Sequence, residues 1–295
     1  MATPFLGSEE YDERAHRLYE DGDYDAALST LREGLELYPT SVELHVGMGY
    51  TRMAREEYAW ARRSFAEALA LDPDHEEALV GLGEVLLRLG RREEALELFR
   101  RARAGGAVDD LDLLLSMGRA LYRERLLDEA FEVFSEAAAL YPESPEATAA
   151  LGYVQYRQGR PGAAKRSLRE ALRLEPAQHD ARVFLAHLLY DEGNWKAALR
   201  ELERVAPEDH WDPVAIWRVI ELKRVYSADG TEPADIRAWE RRLEELEAAS
   251  DPIDELLAEI EQMAEDPEQR RSQARAPDPE ARPATHQVRT SGGQA

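Results

Sequence analysis

Seven histidines are the side chains of this chain best suited to general acid–base chemistry or to binding a metal ion. Three of them, His75, His179 and His210, recur at nearly the same place relative to the apolar segments of the sequence. A metal site would require their rings to meet in space, but each one lies in a separate polar turn. We therefore expect these histidines to be turn and cap residues, and we expect no metal site.

Other signatures of chemistry are weak. There are no cysteines, which excludes disulfides and thiolate sites. The glycine pairs in 47–49 and 81–83 resemble fragments of a dinucleotide-binding loop, but no strand precedes either of them. The acidic pairs Glu9–Glu10 and Glu56–Glu57 have no basic or polar side chains around them and are typical of solvated faces. We expect no catalytic activity and no cofactor.

The charge of the chain limits its partners. Sixty acidic residues stand against 37 basic ones, which gives a net charge of −23 and predicts repulsion from nucleic acids and anionic membranes. Neither a membrane-spanning segment nor a secretory signal is evident, so we expect a cytoplasmic protein. The basic residues are almost all arginine; the lysines are Lys165, Lys196 and Lys223. An arginine-biased genome and adaptation to high salt both explain this composition.

A chain of 295 residues is long for one compact domain, so either two domains or one extended array is expected. Alanine, leucine, glutamate and arginine dominate, and β-branched residues are sparse, which predicts an all-α fold. The sequence also repeats itself: Gly49, Gly83, Gly118 and Gly152 recur at an interval of about 34 residues. The same spacing relates three further sets: Ala61, Ala95, Ala130 and Ala164; Ala68, Ala102, Ala137 and Ala171; and Phe65, Phe99, Phe134 and Leu168.

This unit resembles the tetratricopeptide repeat, a helix–turn–helix motif of about 34 residues. The marks that carry the resemblance are, in the second copy, His45, Met48, Gly49, Ala61, Phe65, Ala68 and Pro73, and in the fourth copy, Leu114, Met117, Gly118, Leu121, Ala130, Phe134, Ala137 and Pro142. The third copy carries one extra residue near 104–106. The resemblance implies a right-handed superhelical solenoid of six helix pairs, A and B, with capping helices at its C-terminus.

Each mark has a physical reason. Gly49 and its equivalents allow helix A to approach helix B closely, and the phenylalanines fill the space between neighbouring pairs. Gly22, Gly90, Gly159 and Gly193 fall in the turn between A and B, where a left-handed residue is often needed. The prolines stop helix B.

The predicted organisation is an N-terminal extension (1–7), six repeats (8–210), a helical cap (211–265) and a disordered tail (266–295). The repeats span 8–41, 42–75, 76–110, 111–144, 145–178 and 179–210. In the cap, Val214, Ile216, Trp217, Ile220 and Leu222 predict a well-buried first helix. Two further apolar stripes follow: Ile236, Trp239, Leu243 and Leu246, and then Ile253, Leu256, Leu257, Ile260 and Met263. The last stripe would either complete the cap or dock on a partner.

In tetratricopeptide arrays helix A lines a concave groove, and the resemblance implies which of its positions face that groove. Tyrosines recur there along the chain, and arginines concentrate in repeats three to five. Tyrosine and arginine are favoured anchors at protein interfaces. The predicted partner-binding residues are Tyr50, Arg88, Arg119, Tyr122, Arg123, Tyr153, Tyr156, Arg157 and Tyr190. The alternative is that the tyrosines only pack between helices.

The leading functional hypothesis is a protein-interaction scaffold that holds a peptide or helix of a partner protein in this groove, with no role in binding nucleic acid or membranes. A second hypothesis is chaperone-like shielding of a partner's amphipathic helix. A third is a structural protein that associates with itself into a homo-oligomer.

Overall fold

A computed structural model describes residues 7–227 and 235–248 of the chain. Within these ranges the chain forms fourteen α-helices and two short 3-10 turns, and no strand. In chain order the helices are α1 (Ser8–Glu20), α2 (Tyr24–Leu37), α3 (Val42–Ala54), α4 (Tyr58–Leu71), α5 (Glu76–Arg88), α6 (Arg92–Gly105), α7 (Leu111–Arg123), α8 (Leu127–Leu140), α9 (Pro145–Arg157), α10 (Pro161–Leu174), α11 (His179–Asp191), α12 (Trp195–Leu202), α13 (Pro213–Tyr226) and α14 (Ile236–Ala248).

The first twelve helices form six consecutive pairs, which confirms the predicted solenoid. The odd-numbered helices are helix A of each repeat and the even-numbered helices are helix B. Each helix A packs on the helix B that follows it and on helix A of the next repeat. Each pair leaves one apolar face for its neighbour, so the core is one continuous series of clusters along the array.

Side-chain caps begin several of the A helices. The hydroxyls of Ser41 and Ser144 accept the backbone N–H of Leu44 and Ala147. Asp110 accepts two backbone N–H groups at the start of α7. Such caps satisfy donors that have no partner within the helix.

Glycine and a large residue pack together inside each of the middle repeats. Gly49 of α3 lies against the ring of Phe65, and a Cβ atom at Gly49 would lie 2.6 Å from two of its ring carbons. The same ring also lies against Gly81 of the next repeat. This confirms that Phe65 fills the space between neighbouring pairs.

The turn between helices A and B is left-handed in every repeat. Gly22, Gly90, Gly159 and Gly193 have φ between +69° and +78°, as predicted. The equivalent residues of repeats two and four are Glu56 and Arg125, with φ of 60° and 61°. The extra residue of repeat three is taken up where α6 ends: Gly106 has φ +141° and a 3-10 turn follows at Ala107–Asp109.

The C-terminal part differs in one respect from the expectation. Helix α13 begins at Pro213, one repeat length after the start of α11 at His179, and it packs on α11 and α12 as a seventh helix A would. Ile216, Ile220 and Leu222 are buried as predicted, but Val214 is 53% exposed and Trp217 is 52% exposed. The prediction that these two residues are buried is therefore wrong, because no described element covers that face of α13.

Helix α14 packs on α13 through the predicted stripe. Ile236 and Trp239 are buried, and Leu243 and Leu246 lie against the same cluster. The third stripe, at Ile253–Met263, and the tail predicted at 266–295 lie outside the described residues, as do residues 1–6 of the predicted N-terminal extension.

Candidate functional site

The A helices form the inner wall of the array. Side chains from α1, α3, α5 and α7 converge on one cavity of about 360 Å³, which shows that these helices lie on the inner side of the curve. We call this cavity the N-terminal pocket. Its polar lining consists mainly of Asp12, His16, Tyr19, Glu43, Tyr50, Glu77, Asp112 and Ser116.

The N-terminal pocket is acidic. Burial and the neighbouring carboxylate of Glu43 raise the pKa of Asp12. The pKa of Glu77 is also raised, because the surrounding pocket limits the water that can solvate its carboxylate, although part of the side chain is exposed. None of Asp12, Glu43, Glu77 and Asp112 forms an ion pair with an arginine or lysine of the described residues. The pocket would therefore repel an acidic ligand.

Tyr50 forms part of the wall of this pocket. Its hydroxyl donates to the backbone carbonyl of Glu77 at 3.3 Å, and its ring meets the edge of Phe65 at a centroid distance of 5.0 Å. Burial raises the pKa of Tyr50 well above its ordinary range. Most of the Tyr50 side chain therefore contacts other residues of the protein, which agrees with the alternative that the tyrosines pack between helices.

The second group, which we call the central cluster, comprises Glu84, Arg88, Ser116, Arg119, Tyr122, Arg123 and Arg157. Its centre is the carboxylate of Glu84, which is only 5% exposed. Ser116 donates to it at 2.8 Å and Arg123 lies at 3.5 Å. Burial raises the pKa of Glu84, while the Ser116 bond and the nearby arginines act in the opposite direction.

The four arginines of the central cluster fall into two that pair with a described glutamate and two that do not. Arg88 pairs with Glu124 at 3.6 Å, and Arg123 pairs with Glu84. Arg119 and Arg157 are exposed, and neither forms an ion pair with a carboxylate of the described residues. The guanidinium of Arg157 lies 5.7 Å from the centre of the Tyr122 ring, a cation–π contact that orients it.

The third group is aromatic. The rings of Tyr153 and Tyr156 lie 4.5 Å and 5.8 Å from that of Phe184, which in turn lies 6.4 Å from Trp211. We call these four residues the aromatic cluster. Trp211 is 48% exposed, and its indole N–H donates to Asp180 at 2.6 Å. The cluster offers large rings with limited rotational freedom beside the arginines, because Tyr156 and Arg157 are adjacent in α9.

Tyr190 is bonded to α13. Its hydroxyl donates to Glu221 at 2.7 Å, and Arg218 lies 4.2 Å from its ring centre. Arg218 also donates to Nδ1 of His187, so Nε2 carries the proton and donates to Asp212 at 2.6 Å. These contacts hold α13 against α11.

The sequence-predicted residues thus fall into separate groups. Arg88, Arg119, Tyr122, Arg123 and Arg157 are brought together, Tyr153 and Tyr156 join an aromatic cluster beside them, and Tyr50 and Tyr190 lie towards the two ends. Sequence reasoning missed the acidic row at the second position of each repeat: Glu9, Glu43, Glu77, Asp112, Glu146 and Asp180. Its regular spacing was a signal that could have revealed it. Phe184 and Trp211 carry no repeat mark.

The described contacts of His75 and His210 are structural. Nδ1 of His75 accepts the backbone N–H of Ala78 at the start of α5, which confirms its role as a cap. His210 is not simply a turn residue: it is fully buried, its ring lies 5.0 Å from that of Trp239, and burial lowers its pKa. Over residues 7–227 and 235–248, no three histidine, aspartate or glutamate side chains are grouped as metal ligands. No helix in the same ranges has the length and apolar character needed to cross a membrane.

Comparison with known proteins gives consistent results. The family profile described as tetratricopeptide repeat matches residues 52–117 and 155–219. The chain is 32% identical over 109 residues to the CTR9 homologue of Arabidopsis thaliana, and 32% identical over 139 residues to the repeat-containing protein PA4667 of Pseudomonas aeruginosa. These matches cover 37% and 47% of the chain, but only 10% and 23% of the two relatives.

Solved structures share the fold. PilF of Pseudomonas aeruginosa superposes with a TM-score of 0.58 at 24% identity, covering 74% of this chain and 97% of that one. A tetratricopeptide repeat protein from Parabacteroides merdae gives 0.59 at 16% identity, covering 86% and 96%. Such arrays present extended concave surfaces for binding other proteins. The repeat marks, the stacked helix pairs and the profile match over residues 52–117 and 155–219 show that the chain is built from tetratricopeptide repeats.

Proposed function

We propose that this protein holds a peptide segment of a partner protein on its concave face, with the central cluster and the aromatic cluster as the anchoring surface. The observation that supports the proposal is that Arg119 and Arg157 are exposed without an ion-pair partner among the described residues. Both are exposed on the inner wall, and neither has a described carboxylate partner, although acidic residues outnumber basic ones in the chain.

The chemistry of the two clusters defines the ligand. An acidic side chain or a terminal carboxylate would pair with Arg119 or Arg157. An aromatic or large apolar side chain beside it would pack on Tyr153, Tyr156 and Phe184. The four carboxylates of the N-terminal pocket would repel an acidic segment, so they favour its binding at repeats three to five.

Affinity capture followed by titration tests this proposal. The full-length chain is used to capture partners from the native lysate, and the captured partner is titrated against the parent and against the double variant Arg119→Glu, Arg157→Glu. We expect the double variant, and separately Tyr156→Ala, to weaken binding by about 1–3 kcal/mol. Arg123 is less suitable for a charge reversal because Glu84 lies 3.5 Å away.

The matched control is Arg166→Glu, Arg169→Glu on α10, which makes the same charge change at exposed residues of a helix B. Circular dichroism checks that every variant remains helical. Equal loss of binding in the control would indicate a general charge effect, and unchanged binding in both concave-face variants would place the binding site elsewhere. A molecular mass above that of one chain in solution would favour the self-association hypothesis instead.

A further inference from the structure

A second surface lies at the C-terminal end of the described array, between α13 and α14. It is a groove of about 460 Å³ with Trp217, Ile220, Val225 and Leu243 as its apolar lining. We call it the end groove. It shares no lining residue with the central cluster or the aromatic cluster, so a ligand could bind there independently of the concave face.

The end groove is an uncovered repeat interface. Trp217 is the fifth residue of α13. In each of the preceding A helices α3, α5, α7, α9 and α11, the fifth residue is buried under the next repeat and is at most 4% exposed; these residues are Val46, Val80, Leu115, Ala149 and Val183. Trp217 is 52% exposed, and Val225, two turns further along α13, is 63% exposed. The groove therefore has the place and the apolar character that would receive one more helix.

The charged residues that line the end groove indicate which kind of helix could bind there. Four glutamates, Glu221, Glu240, Glu244 and Glu247, line the groove together with one arginine, Arg224. Arg224 pairs with Glu240 at 2.6 Å. A helix that enters the groove thus meets a surplus of negative charge along its flanks, which favours lysine and arginine at its flanking positions.

The chain's own sequence supplies a poor match. Residues 249–265 carry the apolar stripe of Ile253, Leu256, Leu257, Ile260 and Met263, but they also contain six acidic residues and no lysine or arginine. Placed in the groove, this segment would bring carboxylates towards carboxylates. A second copy docked end to end would likewise set two acidic grooves against each other.

We propose that the end groove binds a basic amphipathic helix of a partner protein, with its apolar stripe on Trp217 and Leu243 and its basic flanks against Glu221, Glu240, Glu244 and Glu247. Recognition is by a helix in a groove, with anchors at spacings of three and four residues. The attraction between the basic flanks and the acidic edges sets the charge preference, and it weakens as salt is added.

Two synthetic helical peptides test the proposal with the full-length protein. Both carry leucines at i, i+3, i+4 and i+7; one has lysines at the flanking positions and the other has glutamates. Fluorescence anisotropy of a labelled peptide measures binding. We expect the lysine peptide to bind and the glutamate peptide to bind at least about tenfold more weakly. Trp217→Ala should weaken binding of the lysine peptide about tenfold or more.

Trp60→Ala is the matched control, because Trp60 is 54% exposed on α4 and lines a different groove. It should leave binding unchanged. A second variant, Glu240→Lys with Glu244→Lys, should shift the preference towards the glutamate peptide without removing any apolar contact. Equal binding of both peptides by the parent, or no effect of Trp217→Ala, would overturn the proposal.

Two further outcomes would assign the groove to another occupant and also overturn it. If Leu256→Ser with Leu257→Ser strengthens peptide binding and lowers the Tm, the chain's own segment fills the groove. If the protein forms a dimer that Trp217→Ala disrupts, a second copy fills it.

Discussion

At the scale of single residues, two positions in each repeat are matched in size. The eighth residue of helix A and one large residue of helix B form the pairs Ala15 and Leu31, Gly49 and Phe65, Gly83 and Phe99, Gly118 and Phe134, Gly152 and Leu168, and Ala186 and Leu202. Phenylalanine occurs only opposite glycine, and alanine occurs only opposite leucine. A planar ring can lie directly against a helix backbone only where no Cβ intervenes.

This match predicts the behaviour of a double-mutant cycle. Gly49→Ala should lower the free energy of unfolding by about 1–3 kcal/mol, because the new methyl group would overlap the Phe65 ring. Phe65→Leu alone should also destabilise. When both changes are combined, the loss should be smaller than the sum of the two, since alanine and leucine occur together in repeats one and six. Strict additivity in chemical denaturation would contradict the size match.

The left-handed turns give a second prediction at this scale. Glu56 and Arg125 hold a backbone conformation that glycine adopts without strain. Glu56→Gly and Arg125→Gly should each stabilise the protein by about 0.5–1 kcal/mol, although the added freedom of glycine in the unfolded chain offsets part of this gain. Gly90→Ala, the reverse change at an equivalent position, should destabilise it. Thermal unfolding of the three variants makes the comparison, and a loss of stability in both glycine variants would contradict it.

At the scale of the helix, the acidic row at the second position of each repeat has one stabilising and one destabilising effect. A carboxylate in the first turn of a helix is favourable, because it faces the positive end of the helix dipole. Curvature of the array, however, gathers Glu43, Glu77 and Asp112 into one pocket with Asp12 of α1. What stabilises each helix separately therefore creates repulsion between helices.

Burial of Asp12, together with its repulsion by Glu43, predicts a pH-dependent effect of Asp12→Asn. The pKa of Asp12 is raised above its ordinary value of 3.8, so ionised Asp12 opposes folding at neutral pH. The variant should have a higher Tm than the parent at pH 7. The difference should disappear as the pH falls below 3.8, where Asp12 is protonated in both the folded and the unfolded chain. Glu33→Gln, an equal charge change at an exposed site on α2, should show a smaller effect at pH 7; equal effects would show that net charge alone is responsible.

Much of the helical framework could be predicted from the sequence, because each repeat mark has a local cause: Gly90 requires a positive φ, and Phe99 requires a glycine opposite it. The helix pairs follow from such marks. The pairing of individual arginines could not be predicted in this way. Whether Arg123 or Arg119 reaches Glu84 depends on side-chain conformation across two helices, and the exposure of Trp217 depends on which element follows α13 in space. The role of the predicted groove residues in binding stays a prediction.

At the scale of the whole molecule, stability in a linear array is local. In the described chain the most extensive contacts of each repeat are with its immediate neighbours, so the loss of one contact need not unfold the opposite end. Trp239 is 3% exposed and packs on His210 near the C-terminal end of the described chain.

Trp239→Ala should therefore destabilise α13, α14 and repeat six by about 3–5 kcal/mol while leaving repeats one to three folded. Hydrogen exchange measured by mass spectrometry is the direct test: protection should fall in the C-terminal helices and stay unchanged in α1 to α6. Phe65→Ala serves as the opposite case, with lost protection near the N-terminus. Uniform loss of protection after either change would show that the chain unfolds as a single unit.

The starts of α9, α11 and α13, at Pro145, His179 and Pro213, are evenly spaced along the chain. A gene segment that encodes one such interval can consequently be lost or duplicated without creating a new kind of junction. Removing 145–178 would join α8 to α11 through a connection of the same length as the native one to α9. The inner wall would become shorter by one helix, and Tyr153, Tyr156 and Arg157 would leave with it. Inheritance can thus change the length and the chemistry of the proposed binding surface in whole steps, independently of point mutation.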